Sequence, residues 1–218
     1  MKPTIAGIEI AVLDETERYI QINDKNESEL RNLWPHIAPN YPGFEVTFCF
    51  RNCEVPMGFV NEIGARLLDD CIEMRVPSVE IALPPLPLLT QVTEENFDTF
   101  AAYHDVKILP DFYWTSKRIK QKLGNWCIFM SQVGGQINGY IMATMRPWEA
   151  EIYCIDTPDI ATGKTLASAI IAEAFKAGIP EILYMVDYDS REKEIALELG
   201  FSIKGYYKGY TIVLPDIT

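Results

Sequence analysis

Hydrophobic and polar positions change period from one segment of the chain to the next, and the clearest patterns lie in the second half. Trp126 to Val133 and Asn138 to Met145 have the composition of strands, and Gly134-Gly135 between them is typical of a hairpin turn. Glu151 to Asp156 is a third strand. Glu181 to Asp187 is continuously apolar, as expected of a strand covered on both faces. These segments predict a sheet.

Apolar residues that recur every three or four positions predict four helices in the same half. They are expected after Thr93-Glu-Glu-Asn96, and over Thr115 to Leu123, Thr165 to Ala177 and Ser190 to Leu199. A capping box at Thr93 is expected to start the first helix. Gly178 is expected to end the third, because glycine adopts the left-handed conformation after a helix at the least cost. Asp189 is the expected cap of the fourth.

The chain closes with two predicted strands, Phe201 to Tyr207 and Tyr210 to Leu214. With an extended edge segment before Thr93 counted as a strand, the order of elements in the second half is β-α-α-β-β-β-α-β-α-β-β. The β-α-β unit from Glu151 to Asp187 predicts a right-handed crossover, which makes its two strands parallel. We expect an α/β (α+β) fold with a mixed, twisted sheet and helices on both faces.

The first half has fewer regular patterns. Gly43 to Arg51 is strand-like because of its β-branched and aromatic content. Gly58 to Asp70 suits an amphipathic helix, and Cys71 to Val76 and Ser78 to Leu83 are predicted as short strands. This β-α-β extension has no recognisable catalytic spacing. Its pattern fits either a subdomain that covers the second half or a degenerate half-domain, a half-copy of the second half. Both interpretations stay open.

Three prolines mark the clearest change of composition. Pro84, Pro85 and Pro87 lie within Ala82 to Leu89, and proline removes backbone donors and favours an extended chain. We therefore predict a domain boundary here. It separates an N-terminal extension, residues 1–83, from a larger domain, residues 84–218.

Composition narrows the function classes. The 218 residues have a formal net charge of −12 and are 48% hydrophobic, which favours a folded core. The acidic balance argues against nucleic-acid binding, because phosphates are held by clustered Lys and Arg. No apolar run approaches the roughly 20 residues that span a bilayer, and Met1 to Leu13 lacks the pattern of a secretion signal. We expect a cytoplasmic protein that binds no membrane.

The five cysteines are interpreted as reduced core residues, because their number is odd and their surroundings are apolar. Cys49 and Cys53 have the spacing of half a metal site. No second Cys or His pair follows at a useful distance in the sequence, so no metal is expected.

Candidate chemistry concentrates in Asp156 to Ala167, between a predicted strand and a predicted helix. The unpaired N–H groups of a first helical turn, together with the positive end of the helix dipole, bind anions without any charged side chain. Gly163 and the small residues Thr165 and Ala167 would let a diphosphate approach those N–H groups. A plain strand-to-helix loop capped by Thr162 is the alternative.

Gly163-Lys164-Thr165 also resembles the end of a P-loop, with Asp187 as a magnesium partner. The leading glycine of that motif falls on Pro158, which has no N–H to offer a phosphate. Too few residues follow for the further βα units of a nucleotide-hydrolysing domain. A P-loop NTPase is therefore the lesser alternative.

Two segments resemble the motifs of a known family. Thr162 to Ala167 falls on the diphosphate signature Arg/Gln-x-x-Gly-x-Gly/Ala, and it matches the last position but neither the first nor the central glycine. Leu199-Gly200-Phe201 matches the end of a second signature helix, and two predicted strands follow as in that family. Together with the order of elements, these motifs make the chain from about Leu88 onward similar to the GNAT N-acetyltransferase superfamily.

The resemblance implies a reaction. Such a protein transfers an acyl group from an acyl-CoA co-substrate, usually acetyl-CoA, to an amine of a small molecule or peptide by direct attack on the thioester. The strand around Ile155 would part from Glu181 to Asp187, and the pantetheine arm would lie in the opening. Backbone groups near Ile155 and Thr157 would bind the arm and polarise the thioester carbonyl.

The resemblance also implies which residues hold the coenzyme. The N–H groups of Gly163 to Ala167 would bind the diphosphate, and Lys164 would add charge. Asp189 would lie near the pantetheine and Arg191 near the adenosine phosphate. The full set of implied contacts is Ile155, Thr157, Thr162, Gly163, Lys164, Thr165, Leu166, Ala167, Asp189 and Arg191.

Transfer to an amine needs a base for the amine and a proton for the departing thiolate. The family's tyrosine on the last helix falls on Ala196, so Tyr206 and Tyr207 are the candidate proton donors. Glu151 is the candidate base. A catalytically silent CoA-binding or regulatory protein of the same fold is the alternative that Ala196 favours.

An acceptor pocket is expected around His104, Tyr113 and Trp148, because flat aromatic side chains line many small-molecule sites. His104 could act there as a base. A helix-end or surface histidine is the alternative, since a single histidine has no specific pattern.

Overall fold

The computed structural model describes residues 3–79, 89–108 and 112–216. The chain forms two compact units. Met1–Ile72 with Gly205–Thr218 make unit 1, and Glu73–Lys204 make unit 2. The boundary predicted between residues 83 and 84 lies outside the described residues, as do the three prolines that suggested it. The last residues of the chain belong with its N-terminal part.

Twelve strands, six α-helices and one short 3₁₀ helix occur in the described residues. In chain order they are β1 Thr4–Ile5, β2 Ile8–Glu9, β3 Val12–Asp14, β4 Tyr19–Asn23, α1 Glu27–Ile37, β5 Glu45–Arg51, α2 Met57–Ile63, β6 Arg66–Pro77, β7 Leu89–Gln91, α3 Phe97–Lys107, α4 Ser116–Gln121, the 3₁₀ helix Leu123–Asn125, β8 Trp126–Val133, β9 Gln136–Arg146, β10 Glu149–Asp156, α5 Ile160–Lys176, β11 Glu181–Asp187, α6 Arg191–Glu198 and β12 Ser202–Val213.

In unit 1, α1 connects two parallel strands, β4 and β5. The helix begins at a capping box in which the side chains of Asn26 and Glu29 accept hydrogen bonds from each other's backbone N–H groups. Leu30, Leu33 and Ile37 form the buried face of α1 and belong to the hydrophobic core of the unit. The core therefore lies between this helix and the sheet.

In unit 2, β7, β8, β9 and β10 pair antiparallel in that order. Gly134 and Gly135 make the turn between β8 and β9, and both have a positive φ, as the predicted two-residue hairpin requires. α5 connects β10 to β11, and these strands are parallel, as predicted. Phe97, Phe100 and Ile119 of α3 and α4 pack into a core with β8 and β9.

The same succession of elements occurs twice. β4-α1-β5-α2-β6 and β10-α5-β11-α6-β12 are both strand-helix-strand-helix-strand, and the first two strands of each are parallel. The strand order is β3-β4-β5-β12-β6 in unit 1 and β6-β11-β10-β9-β8-β7 in unit 2. β6 and β12 each begin in one unit and end in the other. The half-copy interpretation of the first half stays a prediction.

The predicted helix over Gly58 to Asp70 is too long. α2 stops at Gly64, which has the left-handed conformation that ends helices. Leu67 and Leu68, which fall within the predicted helix, lie on β6 and are exposed. β6 contains the first predicted short strand, Cys71 to Val76, and starts five residues before it. Ser78 and Val79 are not in a strand, and residues 80–83 of the second predicted strand lie outside the described residues.

Three smaller predictions were also wrong. The chain closes with one strand, because Lys208 and Gly209 continue the pairing of β12 with β5. The capping box at Thr93 does not form, since Asn96 caps α3 without a side-chain cap bond. Ser190 rather than Asp189 caps α6, because the Ser190 hydroxyl accepts the N–H of Lys193.

Candidate active site

β10 and β11 part at the end where α5 begins. Their parallel pairing has three registered pairs, of which Ile152↔Tyr184 is the last. Beyond it, β10 continues to Asp156 and β11 to Asp187 without further pairing between them. A bulge at Tyr153 also interrupts the pairing of β10 with β9. A bulge leaves backbone groups unpaired and turns the strand, and this one lies next to the opening. A role of Ile155 in binding stays a prediction.

The end of β10 is held from the side of β9 and α3. A Cβ at Gly139 would be 2.6 Å from the carbonyl oxygen of Asp156, so only glycine lets the two strands approach so closely. The hydroxyl of Tyr103 donates to the Asp156 carboxylate at 2.7 Å, and Lys107 lies 3.7 Å from the same oxygen. These contacts fix the position of the parted segment of β10.

α5 begins five residues earlier than predicted, and this moves the expected diphosphate site. The helix starts at Ile160 with Asp159 as its N-cap. The N–H of Gly163 donates to the carbonyl oxygen of Asp159 at 3.1 Å, and the N–H of Thr162 donates to the Asp159 carboxylate at 2.7 Å. Because N–H groups from residue 163 onward bond within the helix, they cannot hold a diphosphate as predicted.

The small residues of this segment pack helices together. A side chain at Gly163 would overlap Cδ1 of Ile195, so glycine lets α5 approach α6. Leu166 and Ala167 are buried in the core, and Thr165 is half-buried within the helix. From the sequence, Gly163 was expected before the helix and the other three residues in its first turn, where small side chains suit either anion binding or helix packing.

An anion is already present at the start of α5. Hydrogen bonds from the backbone of Thr162 lower the pKa of Asp159, so this carboxylate is charged at neutral pH and lies where a phosphate would bind. The neighbouring cations have partners as well. Arg191 donates to the carbonyl oxygens of Thr157 and Pro158 at 2.8 and 3.2 Å. Lys164 is 2.6 Å from Glu198, and Asp189 is an exposed turn residue.

The P-loop alternative is not supported by this geometry. Gly163, Lys164 and Thr165 all lie inside α5, and the Lys164 ammonium points to Glu198 on α6. A P-loop needs free N–H groups in a loop that surrounds the phosphates. That loop is absent from residues 157–165, all of which the structure describes.

Glu151, the predicted base, lies in a partly buried polar cluster on β10. Its Oε2 accepts the hydroxyl of Tyr153 at 2.7 Å and is 3.2 Å from the guanidinium of Arg146. Arg146 also donates to the Tyr153 hydroxyl at 3.1 Å. Burial, with the charge of Glu151, raises the pKa of Tyr153, which keeps the phenol protonated. Sequence reasoning missed Tyr153 and Arg146, although Tyr153 is two positions from Glu151 on a predicted strand.

His104 is a core residue and does not line the acceptor pocket. It is fully buried, with Nε2 2.8 Å from the carbonyl oxygen of Trp114 and Nδ1 2.8 Å from the Tyr140 hydroxyl. The carbonyl can only accept, so Nε2 carries the proton and Tyr140 donates to Nδ1. Cys154 lies 3.2 Å from the same hydroxyl. Burial lowers the pKa of His104 and raises that of Cys154 to about 11, so both are neutral near pH 7.

An aromatic cavity of about 450 Å³ opens in unit 2. Its lining residues are Trp114, Lys122, Asn125, Trp126, Thr144, Met145, Arg146, Pro147 and Trp148. Trp148 lines this cavity and is 65% exposed, and its role toward an acceptor stays a prediction. Tyr113 is not part of the lining, because its ring packs edge-on against Trp114 and Arg118 lies over its face. Thr144 and Trp126 were not recognised from the sequence.

Tyr206 and Tyr207, the predicted proton donors, belong to unit 1, whereas Glu151 belongs to unit 2. Tyr206 is exposed, and its N–H donates to the Asn52 side chain. The Tyr207 hydroxyl donates to the thiol sulfur of Cys49 at 2.9 Å, and burial raises its pKa. Tyr207 therefore has the contacts of a packing residue on β12, whereas Tyr206 presents its side chain on the surface of unit 1.

The described residues contain no group of three or more His, Cys, Asp or Glu side chains that could hold a metal ion. No helix among them is long and apolar enough to cross a membrane.

Comparison with solved structures identifies the fold. A functionally unknown conserved protein from Staphylococcus epidermidis matches with a TM-score of 0.67 at 13% identity, over 94% of this chain and 90% of that one. A GCN5-related N-acetyltransferase from Sphaerobacter thermophilus matches with a TM-score of 0.62 at 16% identity, over 95% and 77%. A tandem GNAT protein from the clavulanic acid biosynthesis pathway matches with a TM-score of 0.62 at 13% identity, over 98% and 82%.

The chain has the fold of the GCN5-related N-acetyltransferases. No protein-family model matches its sequence, and no curated protein matches it significantly. At these identities the likeness shows the GNAT fold and leaves the reaction to be argued from the site.

Within this GNAT fold, one expected side chain is missing from α6. Ala196 stands where the resemblance places a tyrosine, and it is 1% exposed. No hydroxyl from that position can reach a ligand. Any proton transfer to a departing thiolate must therefore use another group.

Proposed function

We propose that the protein is an acyl-CoA-dependent N-acyltransferase, using acetyl-CoA as the simplest donor and an amine of a small molecule or peptide as the acceptor. The observation that supports this most is the parting of β10 from β11 after the pair Ile152↔Tyr184, together with the bulge at Tyr153. Strands of one sheet part only where other groups satisfy their backbone. A pantetheine arm, which carries two amide groups, would do so.

The coenzyme would be held differently from the sequence prediction. The N–H groups of α5 from Gly163 onward are used within the helix, so phosphates would depend on the side chains of Arg191 and Lys164. Both cations would have to exchange their present partners for the phosphates. Backbone groups around Ile155 would bind the arm and polarise the thioester carbonyl.

Glu151 would serve as the base. The amine nitrogen attacks the thioester carbon, the carbon–sulfur bond breaks, and the carboxylate of Glu151 takes the proton that the nitrogen loses. Tyr103 is a better candidate to protonate the departing thiolate than Tyr206 or Tyr207, because its hydroxyl contacts Asp156 in the parted segment. No covalent enzyme intermediate is needed, since burial keeps Cys154 a thiol.

The test is release of free thiol from acetyl-CoA in the presence of a panel of primary amines. The proposal predicts thiol release that depends on one class of amine and saturates with both substrates. Coenzyme A binding without thiol release over a broad panel would contradict it.

A second candidate, a catalytically silent CoA-binding protein, is favoured by one specific observation. Ala196 stands where the resemblance places the phenol of a tyrosine. This candidate predicts that coenzyme A binds and that Glu151→Gln changes nothing measurable. The two candidates therefore separate in the same assay.

A further inference from the structure

The aromatic cavity of unit 2 has a charge opposite to that of the whole chain. The sequence contains 31 acidic and 19 basic residues, yet the cavity lining has two cations, Lys122 and Arg146, and no carboxylate. Three of the four tryptophans of the chain, Trp114, Trp126 and Trp148, also line it. Such walls suit a ligand with a flat apolar body and a negative charge.

A buried hydroxyl in the lining also lacks a partner. Thr144 is 8% exposed, and its Oγ1 makes no hydrogen bond to any residue in the described part of the chain. A buried polar atom without a partner costs free energy unless a ligand or water satisfies it. Because Thr144 lines the cavity, a ligand group there would complete its hydrogen bonding.

The two cations of the cavity differ in availability. Arg146 is engaged by Glu151 and Tyr153. Lys122 has an exposed side chain and makes no ion pair with any described residue. An ammonium at the edge of an aromatic cavity binds a carboxylate without losing another partner. Lys122 is therefore the free charge of the site.

The candidate base is adjacent to this cavity. Thr144 on β9 pairs directly with Glu151 on β10, which places their Cβ atoms roughly 5 Å apart on one face of the sheet. The Tyr153 ring, whose hydroxyl donates to Glu151, lies 5.3 Å from the Trp126 ring and 5.8 Å from the Trp114 ring. A ligand in the cavity would extend toward the carboxylate of Glu151.

We propose that this cavity binds the acyl acceptor, and that the acceptor is an amine that also carries an aromatic ring and a carboxylate, such as an aromatic amino acid. The ring would pack among the tryptophans, the carboxylate would bind Lys122 and Thr144, and the amine would point to Glu151. The role of the ligand as an acyl acceptor rests on the proposed function. The binding site itself rests on the cavity alone.

Three probes test the contributions of the carboxylate and the amine of the ligand separately. They are L-phenylalanine, phenethylamine, which lacks the carboxylate, and 3-phenylpropionate, which lacks the amine. Binding is followed by tryptophan fluorescence, with and without coenzyme A. The two carboxylates are expected to bind saturably, and phenethylamine about tenfold more weakly or worse, since a charged hydrogen bond is lost. Lys122→Gln should weaken the carboxylates about tenfold and leave phenethylamine unchanged.

Lys117→Gln is the matched control, because Lys117 is an exposed lysine on α4 that does not line the cavity. Thr144→Val is a second variant of similar size and should also weaken the carboxylates. Equal binding of phenethylamine and phenylalanine, or no binding of any probe in either condition, would overturn the inference.

The results that would contradict this inference differ from those that would contradict the proposed function. Thiol release with amines that lack a ring or a carboxylate, and not with phenylalanine, leaves acyl transfer standing and removes the acceptor class. Saturable binding of the carboxylates by a protein that binds no coenzyme A leaves the site standing and removes acyl transfer.

Discussion

At the scale of single residues, Glu151 combines a partly buried carboxylate, a hydrogen bond from Tyr153 and an ion pair with Arg146. It lies two positions before the bulge that opens β10 toward β11. A carboxylate so placed is oriented by its neighbours and is close to the expected thioester. The chemistry of the proposed reaction therefore depends on this side chain more than on any tyrosine of β12.

Glu151→Gln should lower kcat by about a hundredfold, because it removes the proton acceptor while keeping the shape of the side chain. The affinity for coenzyme A should change little. Steady-state thiol release and calorimetry measure the two quantities on the same preparation. Equal loss of coenzyme binding and turnover would show that Glu151 has a structural role instead.

The sequence predicted some site residues and missed others for physical reasons. Glu151 and Trp148 were named because acids and aromatics next to a predicted cleft are few, and their roles stay predictions. His104 was misassigned to the pocket, because only folding brings its partners Tyr140 and Trp114 next to it. Periodicity shows on which face of a helix or strand a side chain lies. It does not show which residues contact the side chain on that face.

At the scale of elements, the start of α5 decides how phosphates can bind. Asp159 caps the helix with its carboxylate, so the positive end of the helix is neutralised by the chain itself. The sequence placed the start at Thr165 because Gly163 and Thr162 have loop and cap propensities. It missed Asp159, which follows Pro158 and precedes an apolar run, as N-caps often do.

Asp159→Asn should strengthen coenzyme A binding severalfold. Asparagine caps helices as well as aspartate does, and the change removes a negative charge from the expected phosphate site. Calorimetric titration measures the affinity. Asp159→Ala, which loses the cap too, is the control for helix stability. Weaker binding by the Asn variant would place the phosphates elsewhere.

His104 joins α3 to β9 and should make stability depend on pH. Its pKa in the folded protein lies below the ordinary 6.5 because of burial. The unfolded chain therefore binds more protons, and the contribution of His104 to stability, present above the unfolded pKa, is lost as pH falls toward the folded pKa. His36, the other histidine, is exposed.

Urea unfolding from about pH 7.5 to pH 5.5, a window in which histidine titrates, measures this dependence. The wild-type protein should lose free energy of unfolding as pH falls over that window. His104→Gln should be less stable at the higher pH and should lose less on acidification. Parallel pH curves for the two proteins would contradict the assignment of a neutral, buried His104.

At the scale of the whole molecule, the strand-helix-strand-helix-strand pattern occurs twice, and unit 1 is built from both ends of the chain. A single cut in the sequence therefore does not separate the two units. The fold class, the parallel β10 and β11 and the β8–β9 hairpin were confirmed. The destination of β12 was not predictable, because pairing between Tyr207–Val213 and β5 joins segments more than 150 residues apart. Local patterns contain no information about such pairing.

Deleting residues 205–218 should unfold unit 1. The deletion removes the strand that forms seven registered pairs with β5, and it exposes the apolar core around Phe48 and Phe50. Fluorescence of Trp34, which packs on that core, and far-UV circular dichroism measure the loss. Deleting residues 216–218 is the control and should leave both signals unchanged. A folded unit 1 in the longer deletion would show that β12 is dispensable.

The central claim is that the opening between β10 and β11 holds the pantetheine arm of a coenzyme A thioester. Calorimetric titration of the wild-type protein with acetyl-CoA tests it most directly. We predict saturable heat with one site and a Kd below about 1 mM, the usual range for enzyme substrates. No saturable heat with acetyl-CoA or with coenzyme A at millimolar concentration would contradict the account.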